Sequence, residues 1–513
     1  MFPSDTDFET EVTLESKANS LADDEPFCIL LLGDWSGREF HSTSSDSFES
    51  RPIEIDRDNF DDVIRKFGIK INLDLQSNVN STVTIYIEEF DDFHPDKIFQ
   101  QLSYFSHLRD IRRRLLDPDT FNNAANEVSS WFNSSGEEKT VSIEKSVQTS
   151  ESQTVPDNLL DQILNQTAQS DFAPQTQTAE SSELSALIGK LVKPYLIHAD
   201  EEEQAKLVAI VDEATGKLMR EILHHPQFQA LESAWRGLYF LVKRVETDAD
   251  LKIFLYDISK TELSDNLKSV DNLADSSFYR LLNDDAFDNS AAKNWAVICG
   301  NFDFHVNVDD TAMLMRLAKI SKVFNAPFIS HIIPKSFDNY LLSQVSNTNF
   351  DISFEPNETR LWDAIRSIPE SSYIGLAFPR FLARLPFGEK TEPLETFAFE
   401  EFDTSFAANK YLWINPVFAC ALLLAESFSL QGWAMENRFQ NQIDNLPFHI
   451  YQEDDETPIK KSMEVVLTQK VCLDLLELGI MPFISFQNSD IIRLPRFQSI
   501  SLSVPFLSGK WND

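Results

Sequence analysis

The residues best placed to do chemistry lie in the stretch PFCILLLGDWSGRE, Pro26 to Glu39, where an apolar run meets a turn bracketed by Gly33 and Gly37 and followed by Arg38. A strand that empties into a glycine-bracketed turn is how a phosphate-cradling loop begins, because glycine lets backbone N–H groups close around an anion. The spacing departs from that motif. Three residues separate the glycines where the loop needs four, and Arg38 precedes Glu39 where a Lys-Ser or Lys-Thr pair belongs. Asp34 puts a carboxylate where phosphate oxygens would come, and no G-x-G-x-x-G fingerprint is present. The stretch reads instead as a buried strand leaving a core through a turn.

The other chemically suggestive groups are equally bland. His224 and His225 are adjacent, and neighbours on a helix point about 100° apart, a poor geometry for one metal. Pro226 behind them marks a helix end, where histidine also suits the helix dipole. No H-E-x-x-H and no nucleophile elbow occurs. Acidic runs such as DDFHPD and YQEDDE lie in polar stretches without the apolar surroundings that raise a carboxyl pKa. Cys28, Cys299, Cys420 and Cys472 are far apart with no C-x-x-C, which excludes a disulfide framework or structural zinc site and fits a reducing compartment. No catalytic group, metal or cofactor is expected.

Charge and length narrow the class. Lys plus Arg is 44 and Asp plus Glu is 82, so the formal charge is −38, which disfavours nucleic acid and anionic membranes as partners. No uninterrupted apolar run of about twenty residues is present to cross a bilayer. The start, MFPSDTDFETEVTLESK, lacks the basic and apolar regions of a secretory leader, so a cytoplasmic location is expected.

The elements that must position these residues fall into four stretches. Residues 1–25 form an acidic arm in which Phe8, Thr10, Val12 and Leu14 alternate with glutamates, the period of a half-buried strand. Residues 26–132 predict a compact α/β domain: the strand FCILLLGDW, an Asp/Asn-capped helix closed by Gly68, a strand, a second strand STVTIYIEEF, and one helix opening at Pro95. Residues 133–183 are rich in Ser, Thr and Gln and predict a flexible linker. Within it a short helix is expected over 156–167, with Leu159, Leu160, Ile163 and Leu164 on one face; it either docks on a partner or packs on its own domain. Residues 184–513 predict a large α/β unit with one or two long amphipathic helices and strands LKIFLYDIS, NWAVICGNFDF and APFIS in a substantially parallel sheet. Near the end QSISLSVPF alternates Ile500, Leu502 and Val504 against serines, which predicts another strand. The fold class expected is α/β: a body with a mixed sheet flanked by helices, plus a smaller N-terminal α/β block joined by a flexible linker.

Longer matches point to a family. LMREILHHPQFQALESAWRGLYFLV resembles the signature helix of the large subunit of the type VI secretion contractile sheath, the TssC/VipB/EvpB family. In the family's order follow LKIFLYDISKTEL, AKISKVFNAPFIS, SSYIGLAFPRFLARLPFG, KYLWINPVFACALLLAESFSLQGW and LELGIMPFISFQNSD. PFCILLLGDWSGRE and EEFDDFHPDKIFQQLSYFSHLRDIRRRLL resemble the small sheath subunit, TssB/VipA, so the chain looks like both parts in one. The resemblance implies a non-enzymatic structural subunit that assembles with itself or homologous sheath subunits around an Hcp-like inner tube and contracts. It implies a baseplate contact and recycling by a ClpV-type unfoldase, with NLLDQIL similar to a short helix at the start of the large subunit, the region in which such an unfoldase recognises a helix. It also implies strand exchange through chain ends, for which Phe8, Val12, Leu14, Ile500, Leu502 and Val504 have the period. The family's large subunit usually continues well beyond the turn near Asn488, whereas this sequence stops at Asp513. A sheath-derived adaptor or a baseplate or end-piece component is therefore the alternative expectation.

Overall fold

The structure, a computed structural model, describes residues 25–40, 51–75, 82–133, 203–283, 295–337, 352–402, 410–435, 438–451, 459–486 and 489–512. The arm carrying Phe8, Val12 and Leu14, the linker, and Leu159, Leu160, Ile163 and Leu164 lie outside these residues. The chain divides into two units, the first taking in 1–73, 83–101 and 220–513 and the second 74–82 and 102–219.

In the early chain, β1 (Phe27–Gly33) is buried at every position. After β2 (Ile53–Ile55), helix α1 (Phe60–Phe67) is closed by Gly68 in the left-handed conformation at φ 58°, and the chain turns straight into β3 (Ile69–Asp74). Asn59 precedes this helix but does not cap it as expected, since its Oδ1 accepts from the N–H of Asp56. β3 pairs with β4 (Thr82–Ile87) in a two-stranded sheet. The single helix expected from Pro95 is two, α2 (Pro95–Gln101) and α3 (Ser103–Leu116), because Leu102 adopts an extended conformation at φ −87°, ψ 128°.

The second unit contains α3, α4 (Phe121–Asn133) and residues 203–219 of α5 (Glu203–Leu223). Phe105, Leu108, Ile111 and Leu115 of α3, Ala124 and Val128 of α4, and Val211 and Ala214 of α5 are buried, each set at the spacing of one helical face. Arg112 grips Asp212 through two N–H groups, and the Gln204 amide donates to the carbonyl of Leu115.

The first unit is built on one seven-stranded sheet. Its later elements are α6 (Pro226–Arg244), β5 (Leu251–Asp257), α7 (Lys260–Lys268), α8 (Ser277–Asn283), β6 (Trp295–Phe304), α9 (Val308–Phe324), β7 (Phe328–Ile332), α10 (Pro356–Arg366) and β8 (Ile374–Phe378). There follow β9 (Phe381–Leu382), β10 (Trp413–Ile414), α11 (Val417–Gln431), β11 (Gln442–Ile443), β12 (His449–Tyr451), β13 (Ile459–Lys461), α12 (Gln469–Glu477) and β14 (Ile480–Pro482). The sheet order is β14-β8-β7-β6-β1-β5-β2, parallel except where β2 runs antiparallel beside β5. Helices cover both faces, which is why β1 is apolar without alternation. Cys28, Leu30 and Leu32 join one buried cluster with Met313 and Leu314 of α9, while Phe27 meets Phe428 of α11 with ring centroids 4.8 Å apart.

The α/β class with a mixed sheet flanked by helices is as expected. The N-terminal block is separated from the body along the sequence, and its first strand pairs with strands of the body. β1 lies between β5 and β6, in register from Phe27↔Leu251 to Gly33↔Asp257 and from Cys28↔Trp295 to Leu32↔Gly300. A strand buried on both faces and paired on both edges is thus shared between the N-terminal block and the body's sheet.

The strand expected over Ile500, Leu502 and Val504 is a turn. The Ser499 hydroxyl donates to the carbonyl of Val504, the Ser499 N–H to that of Pro505, and the Ser501 hydroxyl accepts from Ser503 and Val504 N–H groups. Serine hydroxyls compete for backbone groups and hold a bend where periodicity alone predicts a strand. Ile500 is fully buried, whereas Leu502 and Val504 are exposed, so the three do not share a face.

Candidate functional site

Taken in chain order, the six parallel strands have the order 2-1-3-4-5-6, and a doubly wound sheet binds its ligands outside the carboxyl ends of the strands where the order reverses. Here that point lies between β1 and β6, and the glycine-bracketed turn of Gly33 to Gly37 sits on it. Its donors are already engaged. Asp257, the last residue of β5, accepts from the N–H groups of Trp35 and Ser36 at 2.8 and 3.2 Å and from the Ser36 hydroxyl at 2.6 Å. Asp34 accepts from the N–H groups of Arg38 and Glu39. Arg38 is held by Glu262 at 3.1 Å and lies 3.7 Å from Asp257. The turn thus holds two internal carboxylates where a phosphate-binding loop would hold phosphate. Burial pushes the carboxyls of both Asp34 and Asp257 above their ordinary values, against the N–H and O–H groups that favour the charged forms.

Beside the turn lies a cavity of about 530 Å³. Its lining includes residues of the first turns of α6 between Pro226 and Ala234, Leu412 and Trp413, and the charged side chains of Asp34, Glu39, Lys260, Asp303, Arg380 and Glu464, with the amides of Gln229 and Asn301. Lys260 lies 2.7 Å from Asp310 and donates to the carbonyl of Asp303, and Arg380 holds Glu464 through two N–H groups. Asp303 Oδ1 is 2.7 Å from Nδ1 of the buried His331. Burial alone would raise the Asp303 carboxyl, but the field and hydrogen bond of His331, with Arg380 nearby, hold it well below the usual carboxylate range. Among the described residues no group of three or more His, Cys, Asp or Glu is arranged to hold a metal ion.

A second polar cluster is built on Glu232 of α6. Arg384 is buried between Glu232 of α6 and Glu401, at 2.8 and 2.7 Å. Arg236 joins Glu232 at 2.7 Å, and Glu401 also accepts from the N–H of Phe387. Burial would raise the Glu401 carboxyl, but the charge of Arg384 outweighs it, together with hydrogen bonds, and lowers it to about 2. The same partners hold the guanidinium of Arg384 above its ordinary value despite burial. Sequence reasoning missed this cluster. Its one visible signal is Glu232, an acid on the apolar side of α6 among Phe228, Leu231 and Trp235.

The expected site residues are not brought together here. Ile500 is in the core, Leu502 and Val504 stand exposed on the serine turn, and the others lie outside the described residues. His224 and His225 separate α5 from α6, as Pro226 predicts, and His225 caps α6 by accepting from the N–H of Gln227. No helix among the described residues is long and apolar enough to cross a membrane.

Comparison with known proteins agrees with the motifs. Residues 205–501 match the family described as EvpB/VC_A0108, tail sheath N-terminal domain (VipB). Residues 10–133 match a second family, described as type VI secretion system, VipA, VC_A0107 or Hcp2. The type VI secretion system sheath protein TssC1 of Pseudomonas aeruginosa is 33% identical over 359 residues, covering 64% of this chain and 72% of that protein.

Proposed function

The chain belongs to the VipB tail sheath family, and from that membership we propose that it is a structural subunit of a type VI secretion sheath, one that self-assembles around an inner tube and drives effector delivery by contraction. The observation that carries this reading is the presence of VipA-type and VipB-type segments in one chain, with the VipA-type β1 seated between the VipB-type strands β5 and β6. Association with other sheath subunits follows from the family. The inner tube (Hcp-like), a ClpV-type unfoldase and a baseplate are the further partners proposed, in the cytoplasm and with no enzymatic step. The loop that most resembles a catalytic or nucleotide element has its donors filled by Asp34 and Asp257, which supports a non-enzymatic role.

We assign intersubunit contacts to the arm bearing Phe8, Val12 and Leu14 and to the end of the chain. Leu502 and Val504, exposed on the serine turn, make the contact there, and Ile500 anchors that turn in the core. Leu159, Leu160, Ile163 and Leu164 form the unfoldase-docking face. Electron microscopy of the purified chain, alone and with tube protein, tests the proposal. Sheath-like tubes are expected; a chain that stays monomeric and never decorates tubes refutes the lattice role and leaves the adaptor or baseplate reading. Leu502→Asp with Val504→Asp should leave folded subunits that assemble poorly, and normal assembly would remove those residues from the interface. Leu160→Asp with Ile163→Asp should abolish unfoldase capture in a pull-down, and unchanged capture would retire that assignment.

A further inference from the structure

In a chain with 82 acidic and 44 basic residues, the stretch from Ile491 to Asn512 contains no carboxylate side chain and carries Arg493, Arg496 and Lys510. Arg493 and Arg496 are exposed; they donate to the side-chain carbonyls of Gln442 and Gln498, and neither forms an ion pair among the described residues. Beside Arg496 lies an exposed apolar surface. Gln498 bridges antiparallel to Phe506, and Ser499 bonds the carbonyls of Val504 and Pro505, so Leu502, Val504 and Phe506 stand out on one turn next to Arg496. Arg366 donates to the carbonyls of Ile500 and Glu477 and brings one exposed acid, Glu477, to the margin. An apolar surface edged by arginines without ion-pair partners suits a segment that is both apolar and acidic.

The chain carries such a segment in its own arm, where Phe8, Val12 and Leu14 alternate with Asp7, Glu9, Glu11 and Glu15 and the first cation is Lys17. The arm is rooted at the same end of its unit. The Trp433 indole N–H donates to the carbonyl of Glu25 at 2.9 Å, and Nζ of Lys510 lies 6.0 Å from that ring. Trp511 next to Lys510 meets Phe439, and Phe439 meets Phe497 next to Arg496, with ring centroids 5.7 and 4.9 Å apart. Leu14 lies eleven residues before Glu25, which allows about 36 Å of extended chain. A segment tethered so closely has an effective concentration of roughly millimolar, so individually weak contacts suffice to hold it. We propose that in the unassembled subunit residues 5–15 dock on this face of their own chain, with Phe8, Val12 and Leu14 against Leu502, Val504 and Phe506 and the acidic side chains reaching Arg493 and Arg496. Such docking withholds the arm and the turn from neighbouring subunits until assembly displaces it. That consequence for assembly rests on the sheath reading above; the docking itself does not.

The test is hydrogen–deuterium exchange of the full chain, diluted below any concentration at which it assembles and read on peptides covering residues 5–15. Amide exchange there should be slower than in a free peptide of the same sequence, at a rate independent of protein concentration. Arg493→Glu with Arg496→Glu should speed it about tenfold, the loss of two exposed charge contacts. Glu9→Arg with Glu11→Arg, which leaves the face itself untouched, should do the same, and the two pairs combined should restore the slow rate. Free-peptide exchange in the wild type, no change in either variant, or failure of the combination to recover overturns the proposal. Protection that grows with protein concentration also overturns it, because the arm of a second copy then occupies the face. The readout precedes assembly, so a chain that protects its arm but forms no tubes keeps the docking and loses only the sheath reading.

Discussion

Arg384→Met removes the one cation that lies between two buried carboxylates, and its cost can be worked out from the geometry. Glu232 retains Arg236 at 2.7 Å, so the group left uncompensated is Glu401, with the N–H of Phe387 and with His224 Nε2 at 3.5 Å. A carboxyl held at about 2 against an ordinary 4.5 corresponds to about 3 kcal/mol of preferential stabilisation of the charged form. That agrees with the roughly 3–5 kcal/mol lost when one partner of a buried pair is removed. The pH dependence has a definite sign. A carboxyl with a depressed folded pKa stabilises the fold above about 4.5, and this contribution is lost as pH falls from 4.5 toward 2. Urea unfolding of wild type and Arg384→Met should therefore differ by about 3 kcal/mol near neutral pH, and the gap should narrow as pH falls below about 4.5. Adding Glu401→Gln to Arg384→Met should recover at least about 1 kcal/mol by removing the stranded charge. A loss under about 1 kcal/mol at neutral pH, or a gap that does not change with acidity, would refute the assignment of Arg384 as the compensating charge.

Three further outcomes follow from backbone geometry. Gly479, at φ +81°, has no room for a Cβ, which would stand 2.8 Å from Cα of Ile500; Gly479→Ala should cost at least about 2 kcal/mol in thermal or urea unfolding, and a near-neutral result would mean that the β14 entry can shift. The Gln101 amide mimics a strand residue by accepting from the N–H of Tyr86 and donating to its carbonyl, so Gln101→Ala should speed exchange of the Tyr86 amide hydrogen while costing only about 1 kcal/mol. Unchanged exchange would show that the edge of β4 needs no such cover. A chain beginning at residue 203 lacks β1 and should be insoluble or misfolded when made alone, and rescued when residues 1–133 are co-expressed; a soluble, folded fragment without that partner would contradict the placement of β1 as a central strand.

Much of this architecture is legible in the residues because the strands are strongly apolar. FCILLLG, LKIFLYD and WAVICGNFDF announce themselves by their apolar runs, the first buried throughout and the others nearly so, and Pro226 fixes the break between α5 and α6. Pairing is another matter. Nothing in FCILLLG says that its neighbours lie more than two hundred residues away, since the same run would suit any sheet covered on both faces. The break at Leu102 is silent for the same reason: its apolar spacing continues the helix on either side, and only the backbone departs. At the chain end, periodicity misleads, because the serines that complete the alternation also bond the backbone of the turn. The buried ionic cluster is hidden too, as Glu232 lies 152 residues from Arg384, no periodicity links Arg384 to Glu401 17 residues on, and only folding brings both carboxylates within 3 Å of Arg384.

The turn after β1 shows what separates an anion-binding loop from its look-alike. Both need a strand that ends in glycine, a tight reversal and several N–H groups pointing one way. In this chain the deciding residue is not in the loop. Asp257 sits at the carboxyl end of the adjacent strand, in register with Gly33, and presents its carboxylate to two N–H groups and one hydroxyl within 3.2 Å. A bound phosphate would have to displace that carboxylate from donors it holds at no cost in ligand immobilisation, and would meet its charge and that of Asp34 at close range. The parallel pairing of β1 with β5 is what brings Asp257 there. The pairing that joins the VipA-type and VipB-type segments therefore also brings the carboxylate that occupies these donors, and one arrangement of strands accounts both for the shared sheet and for a turn whose N–H groups serve internal carboxylates.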